Sequence, residues 1–167
     1  MQTTVRKLTE NDWETLKIIR LNALKTDPIA FGSSYEEEKT RDEAFWRSRT
    51  QGAIVAFIND EAVGLISYKD EERLKTKHKS GIYSVFVNPK YRGYKIGSQL
   101  LEEALHQIEQ NKAIIKINLS VVDLQKAAIK LYESMGFKVV GKLSKELLIN
   151  GEYYDELLME KILDDRL

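Results

Sequence analysis

Val85–Ser98 reads VFVNPKYRGYKIGS. The β-rich run Gly81–Val87 (GIYSVFV) predicts a strand, and Pro89 ends it because proline cannot donate to a ladder. A turn containing Gly93 follows, and Gly97 lies just beyond it. Leu100, Leu101, Ala104, Leu105 and Ile108 then recur at helical spacing. A turn that opens a helix points several backbone N–H groups and the positive end of the helix dipole at one spot. That spot suits a pyrophosphate, with Arg92 and Lys95 adding charge. An ordinary strand-to-helix connection fits the glycine spacing as well. Two better-known phosphate motifs are excluded. The stretch lacks the GK[ST] ending of a P-loop and the G-x-G-x-x-G spacing of a dinucleotide fold.

Working outward, Thr3–Leu8 predicts a short strand and Trp13, Leu16, Ile19 and Ala23 a helix reaching about Lys25, stopped by Asp27-Pro28. Phe31–Glu38 (FGSSYEEE) reads as a loop leading into a polar helix through Phe45 and Trp46. Ala53–Ile58 and Ala62–Tyr68 predict a hairpin around Asn59-Asp60-Glu61. Asp70–Lys79 reads as a solvated charged loop. Ala113–Val122 predicts a strand, and Ala127–Met135 a helix closed by Gly136. Val139–Leu148 and Tyr153–Ile162 predict a terminal hairpin turned by Asn150-Gly151. The order β-α-α-β-β-β-α-β-α-β-β implies a mixed α/β sheet, about six or seven strands flanked by about four helices. No linker or repeat interrupts residues 1–167, so a single domain is expected.

Composition narrows the chemistry. With 43% hydrophobic residues and only two prolines the chain can bury a core. Lys+Arg and Asp+Glu are both 26, so no global field draws in nucleic acid or an anionic membrane, and any anion site must be local. Cysteine is absent, which excludes a thiolate nucleophile and Cys-based metal sites. The two histidines, His78 and His106, lie in polar contexts, and no metal site is expected. The polar start MQTTVRKLTE is no signal peptide and no apolar run approaches membrane-spanning length, so a cytoplasmic protein is expected.

The residues from Val87 to Gly97 resemble the acetyl-CoA signature of the GNAT superfamily of N-acetyltransferases. In that family a strand ending in V-x-P-x-x-R-G leads into R/Q-x-x-G-x-G/A. Arg92, Gly93 and Gly97 match, while Lys95 stands where the middle glycine is usual. About thirty residues on the family shows L-x-V, then N-x-x-A-x-x-L-Y-x-x-x-G-F. Here Leu119 and Val121 precede Gln125, Ala128, Leu131, Tyr132, Gly136 and Phe137, and only the Asn-to-Gln change at 125 departs. The stretch RLNALKTDPIAFGSSYEEE (20–38) is also similar to a bacterial branch of the family.

The resemblance implies acetyl-CoA as co-substrate, an amine acceptor, and no metal, nucleic-acid or membrane partner. It implies that the backbone of Val85, Phe86 and Val87 pairs with the pantetheine arm. The amides of Arg92, Gly93, Tyr94, Lys95, Ile96, Gly97 and Ser98 would take the pyrophosphate. Gln125 and Ala128 would border the CoA arm, and Tyr132 would reach the CoA sulfur as general acid. A base on the fourth strand is usual, but Tyr83 stands there and a phenol is a poor base at neutral pH. Asp70, Glu71 and Glu72 precede it in the charged loop. Without cysteine a cysteine-bound acetyl intermediate is excluded, and direct attack of the amine on the thioester in a ternary complex is expected. On the acceptor side, one of Glu36, Glu37 and Glu38, with Phe31 or Tyr35, is expected to hold a cationic amine. A second class of function fits too, an acyl-CoA-binding regulatory domain with weak turnover. Relatives often form homodimers, and nothing in this sequence decides between monomer and homodimer.

Overall fold

The structure is a computed structural model and describes residues 2–167. Seven strands order as β1-β2-β3-β4-β5-β7-β6. They are β1 (Thr4–Lys7), β2 (Ala53–Ile58), β3 (Glu61–Asp70), β4 (Lys79–Val87), β5 (Lys116–Val122), β6 (Lys138–Ile149) and β7 (Glu152–Ile162). The α-helices are α1 (Trp13–Thr26), α2 (Tyr35–Glu38), α3 (Glu43–Arg49), α4 (Ile96–Gln110) and α5 (Lys126–Ser134). The β4–β5 ladder is parallel, and those joining β1–β2, β2–β3, β5–β7 and β6–β7 are antiparallel. The extra helix arises because Phe31–Trp46 carries two helix starts. Ser34 accepts from Glu37 N at 3.2 Å, and Asp42 accepts from Phe45 N at 2.9 Å.

The charged loop is shorter than expected. Glu71 N donates to Lys79 O at 2.9 Å, so pairing of β3 with β4 continues beyond the apolar alternation. Conversely β5 starts only at Lys116. Ala113 N donates to the Asn111 side chain at 3.1 Å instead, while the adjacent Ile114 is fully buried.

Two compact units divide the described chain, one holding residues up to Tyr68 with Ser84–His106, the other Lys69–Tyr83 with Gln107–Leu167. In the first, the α1 face of Leu16, Ile19, Ala23 and Leu24 packs with Ala53 and Val55 of β2, Leu65 of β3 and Phe86 of β4. Gly64 lets β3 lie close to α4, since a Cβ there would meet the Leu100 side chain at 2.9 Å. In the second unit, β5 pairs with β7 from Lys116↔Ile162 to Val122↔Glu156. Arg166 there donates to the carbonyls of Glu109, Asn111 and Ile114, which neutralises the C-terminal end of α4.

Candidate active site

In the first unit, β4 does not run straight into its turn. Ser84 sits at φ 61, an unusual angle for a non-glycine residue, and marks a local break in the strand. Beyond it Phe86 enters the core while Val85 and Val87 are half-buried. Asn88 N donates to Val63 O at 2.8 Å and ends the strand, and Asn88 Oδ1 accepts from Lys90 N at 3.1 Å. A single 3-10 turn, Pro89–Tyr91, follows.

The turn is anchored by Arg92, whose Nε donates to Val87 O at 3.0 Å and whose Nη2 pairs with Asp27 at 3.1 Å. Gly93 takes φ 87, with no heavy atom within 4 Å of the position a Cβ would occupy. Tyr94 is exposed. Gln99 N donates to Lys95 O at 3.1 Å, so the amides of Ile96, Gly97 and Ser98 precede the first bond of the helix and have no intrahelical acceptor. Such a turn can receive a phosphate on backbone donors.

Lys95 adopts φ 60. That left-handed backbone explains why the family prefers glycine at this position, and a lysine there is strained by about 1–2 kcal/mol. Lys95→Gly is therefore expected to raise Tm by about 2–4 °C. On the proposal that the Lys95 charge lies beside the phosphates, it should also lose about 1 kcal/mol of acetyl-CoA affinity in a salt-dependent way, whereas a side chain in solvent gives no change. Thermal unfolding and titration at two salt concentrations check both parts, and a lowered Tm would show that the position carries no strain.

The acidic triplet is already engaged. Glu37 closes a capping box, accepting from Ser34 N and Ser34 Oγ, both at 2.9 Å. These bonds hold its carboxyl below the ordinary carboxylate value. Glu36 is exposed and pairs with Lys39. Glu38 is buried and takes the Arg20 guanidinium in a fork, Nε to Oε2 at 3.0 Å and Nη2 to Oε1 at 2.9 Å. Burial alone would raise the Glu38 carboxyl. The hydrogen bonds and charge of Arg20, with Ser33 and Arg49 behind them, overcome this and hold it below its ordinary value. Phe31 lies under Arg20, 4.7 Å from guanidinium carbon to ring centre, and Tyr35 carries Lys25 over its ring at 4.3 Å.

Sequence reading missed Arg20 and Ser84. Arg20 Nη1 donates to Ser84 Oγ at 2.6 Å, so the buried ion pair reaches the break in β4. One signal was legible: Arg20 shares the apolar stripe of Leu16 and Leu24, four residues to either side.

In the second unit, Gln125 and Ala128 are half-buried at the start of α5, and Tyr132 is buried in its last turn. Gly136 (φ 90) ends the helix. Its N–H donates to Glu133 O at 3.1 Å, and Phe137 N donates to Tyr132 O at 3.1 Å. This is a Schellman closure, and its usual apolar contact is the edge-to-face pair of Tyr132 and Phe137, with ring centres 6.0 Å apart. The spacing Y-x-x-x-G-F is thus a device that locks the tyrosine ring. Burial pushes the Tyr132 phenol above its ordinary value, so it keeps its proton at neutral pH. Tyr83 folds over Gly81, where a Cβ would meet its hydroxyl at 2.5 Å. Burial, and then the charge of Glu71, raise the Tyr83 phenol, which leaves it a poor base. Among the described residues no cluster of His, Cys, Asp and Glu is placed to hold a metal ion, and no helix is long and apolar enough to cross a membrane.

Residues 18–137 match the Acetyltransferase (GNAT) family, and the chain belongs to it. It is an acetyl-CoA-dependent acetyltransferase, with N-acetyltransferases among its relatives. It is 27% identical over 109 residues to the L-amino acid N-acetyltransferase AaaT of Escherichia coli, covering 65% of this chain and 67% of that one. It is 27% identical over 126 residues to the spermidine N(1)-acetyltransferase of Vibrio cholerae, covering 75% of this chain and 73% of the other. Among solved structures, yncA of Salmonella typhimurium with its cofactor acetyl-CoA shares the fold at TM-score 0.82 and 20% identity, over 98% of this chain and 95% of that one.

Proposed function

We propose that the whole chain acts as one cytoplasmic N-acetyltransferase domain that moves the acetyl group of acetyl-CoA directly onto a primary amine. The observation that carries this is the turn from Val87 to Ser98. It joins open backbone donors, a left-handed Lys95 and an anchored Arg92 on the family's own signature. The amides from Gly93 to Ser98, with Lys95, hold the pyrophosphate. The backbone of Val85–Val87 takes the pantetheine arm as a strand would, bordered by Gln125 and Ala128. The Val85 and Val87 amides polarise the thioester carbonyl. The amine lone pair attacks that carbonyl carbon, a C–N bond forms, the C–S bond breaks and the sulfur departs with the electron pair. Tyr132 gives its proton to the thiolate, the ammonium formed on nitrogen loses a proton to water, and the Tyr132 phenolate takes a proton back from solvent as CoA leaves. Water is assigned this part because Tyr83 is a poor base and each acid of the Glu36–Glu38 triplet is engaged elsewhere.

The relatives named above act on amino acids and on a polyamine, so their names leave the acceptor open. The test is Gly97→Asp, which puts a side chain and a negative charge at the pyrophosphate. Acetyl-CoA affinity is expected to fall at least about tenfold, read as the loss of ligand-dependent Tm increase. Unchanged affinity in a folded variant would remove the site from this turn. Acetyl-CoA binding without CoA release from any amine would point instead to a regulatory acyl-CoA-binding domain.

A further inference from the structure

Beside the break in β4, the first unit holds a recess lined by Leu16, Arg20, Trp46, Arg49, Leu65, Ser67 and Ser84. Its enclosed space is about 10 Å³, room for one water-sized group, and beyond that it opens to solvent. The lining combines apolar side chains, two arginines and two serines. Arg20 is fully committed. Two of its nitrogens serve Glu38 and the third serves Ser84. Arg49 is different. It makes none of the ion pairs or side-chain hydrogen bonds found among the described residues, and its guanidinium lies 5.5 Å from the Phe45 ring centre. Burial lowers its pKa, and the nearby charge of Arg20 lowers it further, against a smaller opposite effect of Glu38. Two arginines and one carboxylate leave one positive charge without a protein counter-ion at this recess, on Arg49, which is exposed to solvent. The carboxylate is spent inside the protein.

Resting on the acetyltransferase reading, we propose that the open mouth of this recess binds the carboxylate of the acceptor on Arg49, so that the substrate class is an amine that also carries a carboxylate, a free amino acid above all. A guanidinium fork matches a carboxylate in a bidentate way, and such charge-assisted bonds are the strong ones. Arg20 positions the recess. Held by Glu38, it ties the wall to Ser84, the residue next to Val85 and hence next to the proposed thioester site. A polycation such as spermidine would place like charge against Arg49 and gain no partner. This reverses the cationic preference expected from the acidic triplet.

The experiment compares leucine, leucinamide and spermidine as acceptors, with CoA release as readout, in the wild-type protein and in Arg49→Gln and Arg49→Lys. Wild type is expected to favour leucine over leucinamide by about 10- to 100-fold in kcat/KM. Arg49→Gln should bring that ratio close to one through the KM for leucine, and Arg49→Lys should restore part of it. Equal use of leucine and leucinamide by wild type, or an unchanged ratio in Arg49→Gln, would overturn the proposal, as would a preference for spermidine. Should wild type release CoA with no amine, the acetyltransferase reading itself has failed. The recess is then judged by calorimetry of leucine against leucinamide with CoA present, where equal binding or none overturns it and tighter leucine binding supports it.

Discussion

Tyr132→Phe is expected to lower kcat on the order of 100-fold while leaving the dissociation constant of acetyl-CoA unchanged. The variant keeps the ring and removes only the hydroxyl. The ring is what the fold holds, being 4% exposed and edge-on to Phe137 in the closure made by Gly136. The hydroxyl is what the proposed mechanism uses. A phenol raised by burial keeps its proton throughout the neutral range, so no loss of acid function is expected as pH rises from 6 to 9. Stopped-flow or steady-state CoA release with the best acceptor measures the change. A kcat within about threefold of wild type would reduce Tyr132 to packing.

Glu38→Gln is expected to destabilise the protein by about 3–5 kcal/mol. Both side chains of the Arg20–Glu38 pair are nearly dry, at 6% and 5% exposure. Removing one charge leaves the other buried without its counter-ion, and glutamine can accept only half of the fork. For a chain of this length that corresponds to a Tm lowered by roughly 6–20 °C. A fall of less than about 2 °C by circular dichroism would show that the pair does not carry this share of the stability. The double variant Glu38→Leu with Arg20→Met removes both charges and should recover much of the loss. The pH dependence follows the same pair. The Glu38 carboxyl sits lower in the folded than in the unfolded chain, so its contribution is complete above the unfolded value near 4.3 and is lost as pH falls through the folded value. Wild type should lose stability on acidification below about pH 4.5, and Glu38→Gln should lose less of it over that interval.

The elements were legible because their signals are local. Trp13 to Ala23 carries the period of a helix, Asn150-Gly151 turns a hairpin with φ 51 and 81, and Gly136 closes α5 at φ 90. The turn proposed for the cofactor was legible as a turn for the same reason, since Pro89, Arg92, Gly93 and Gly97 lie within one short segment. Even the misplaced boundaries trace to one cause. The start of β4 at Lys79 and the late start of β5 at Lys116 are set by backbone partners, which side-chain periodicity does not report.

The proposed acceptor side belonged to tertiary structure. Nothing local to FGSSYEEE distinguishes Glu38, which meets an arginine eighteen residues away, from Glu37, which caps its own helix three residues back. Nor does anything near Ser84 foretell a bond from Arg20 across sixty-four positions. By itself the sequence determined most of the secondary structure and the family signature, both of which act over a few bonds of chain. Which charges are spent on the fold, and which one, at Arg49, is left over, was decided by packing. A buried charge takes its partner from whatever the core brings beside it, and separation along the chain places no limit on that choice.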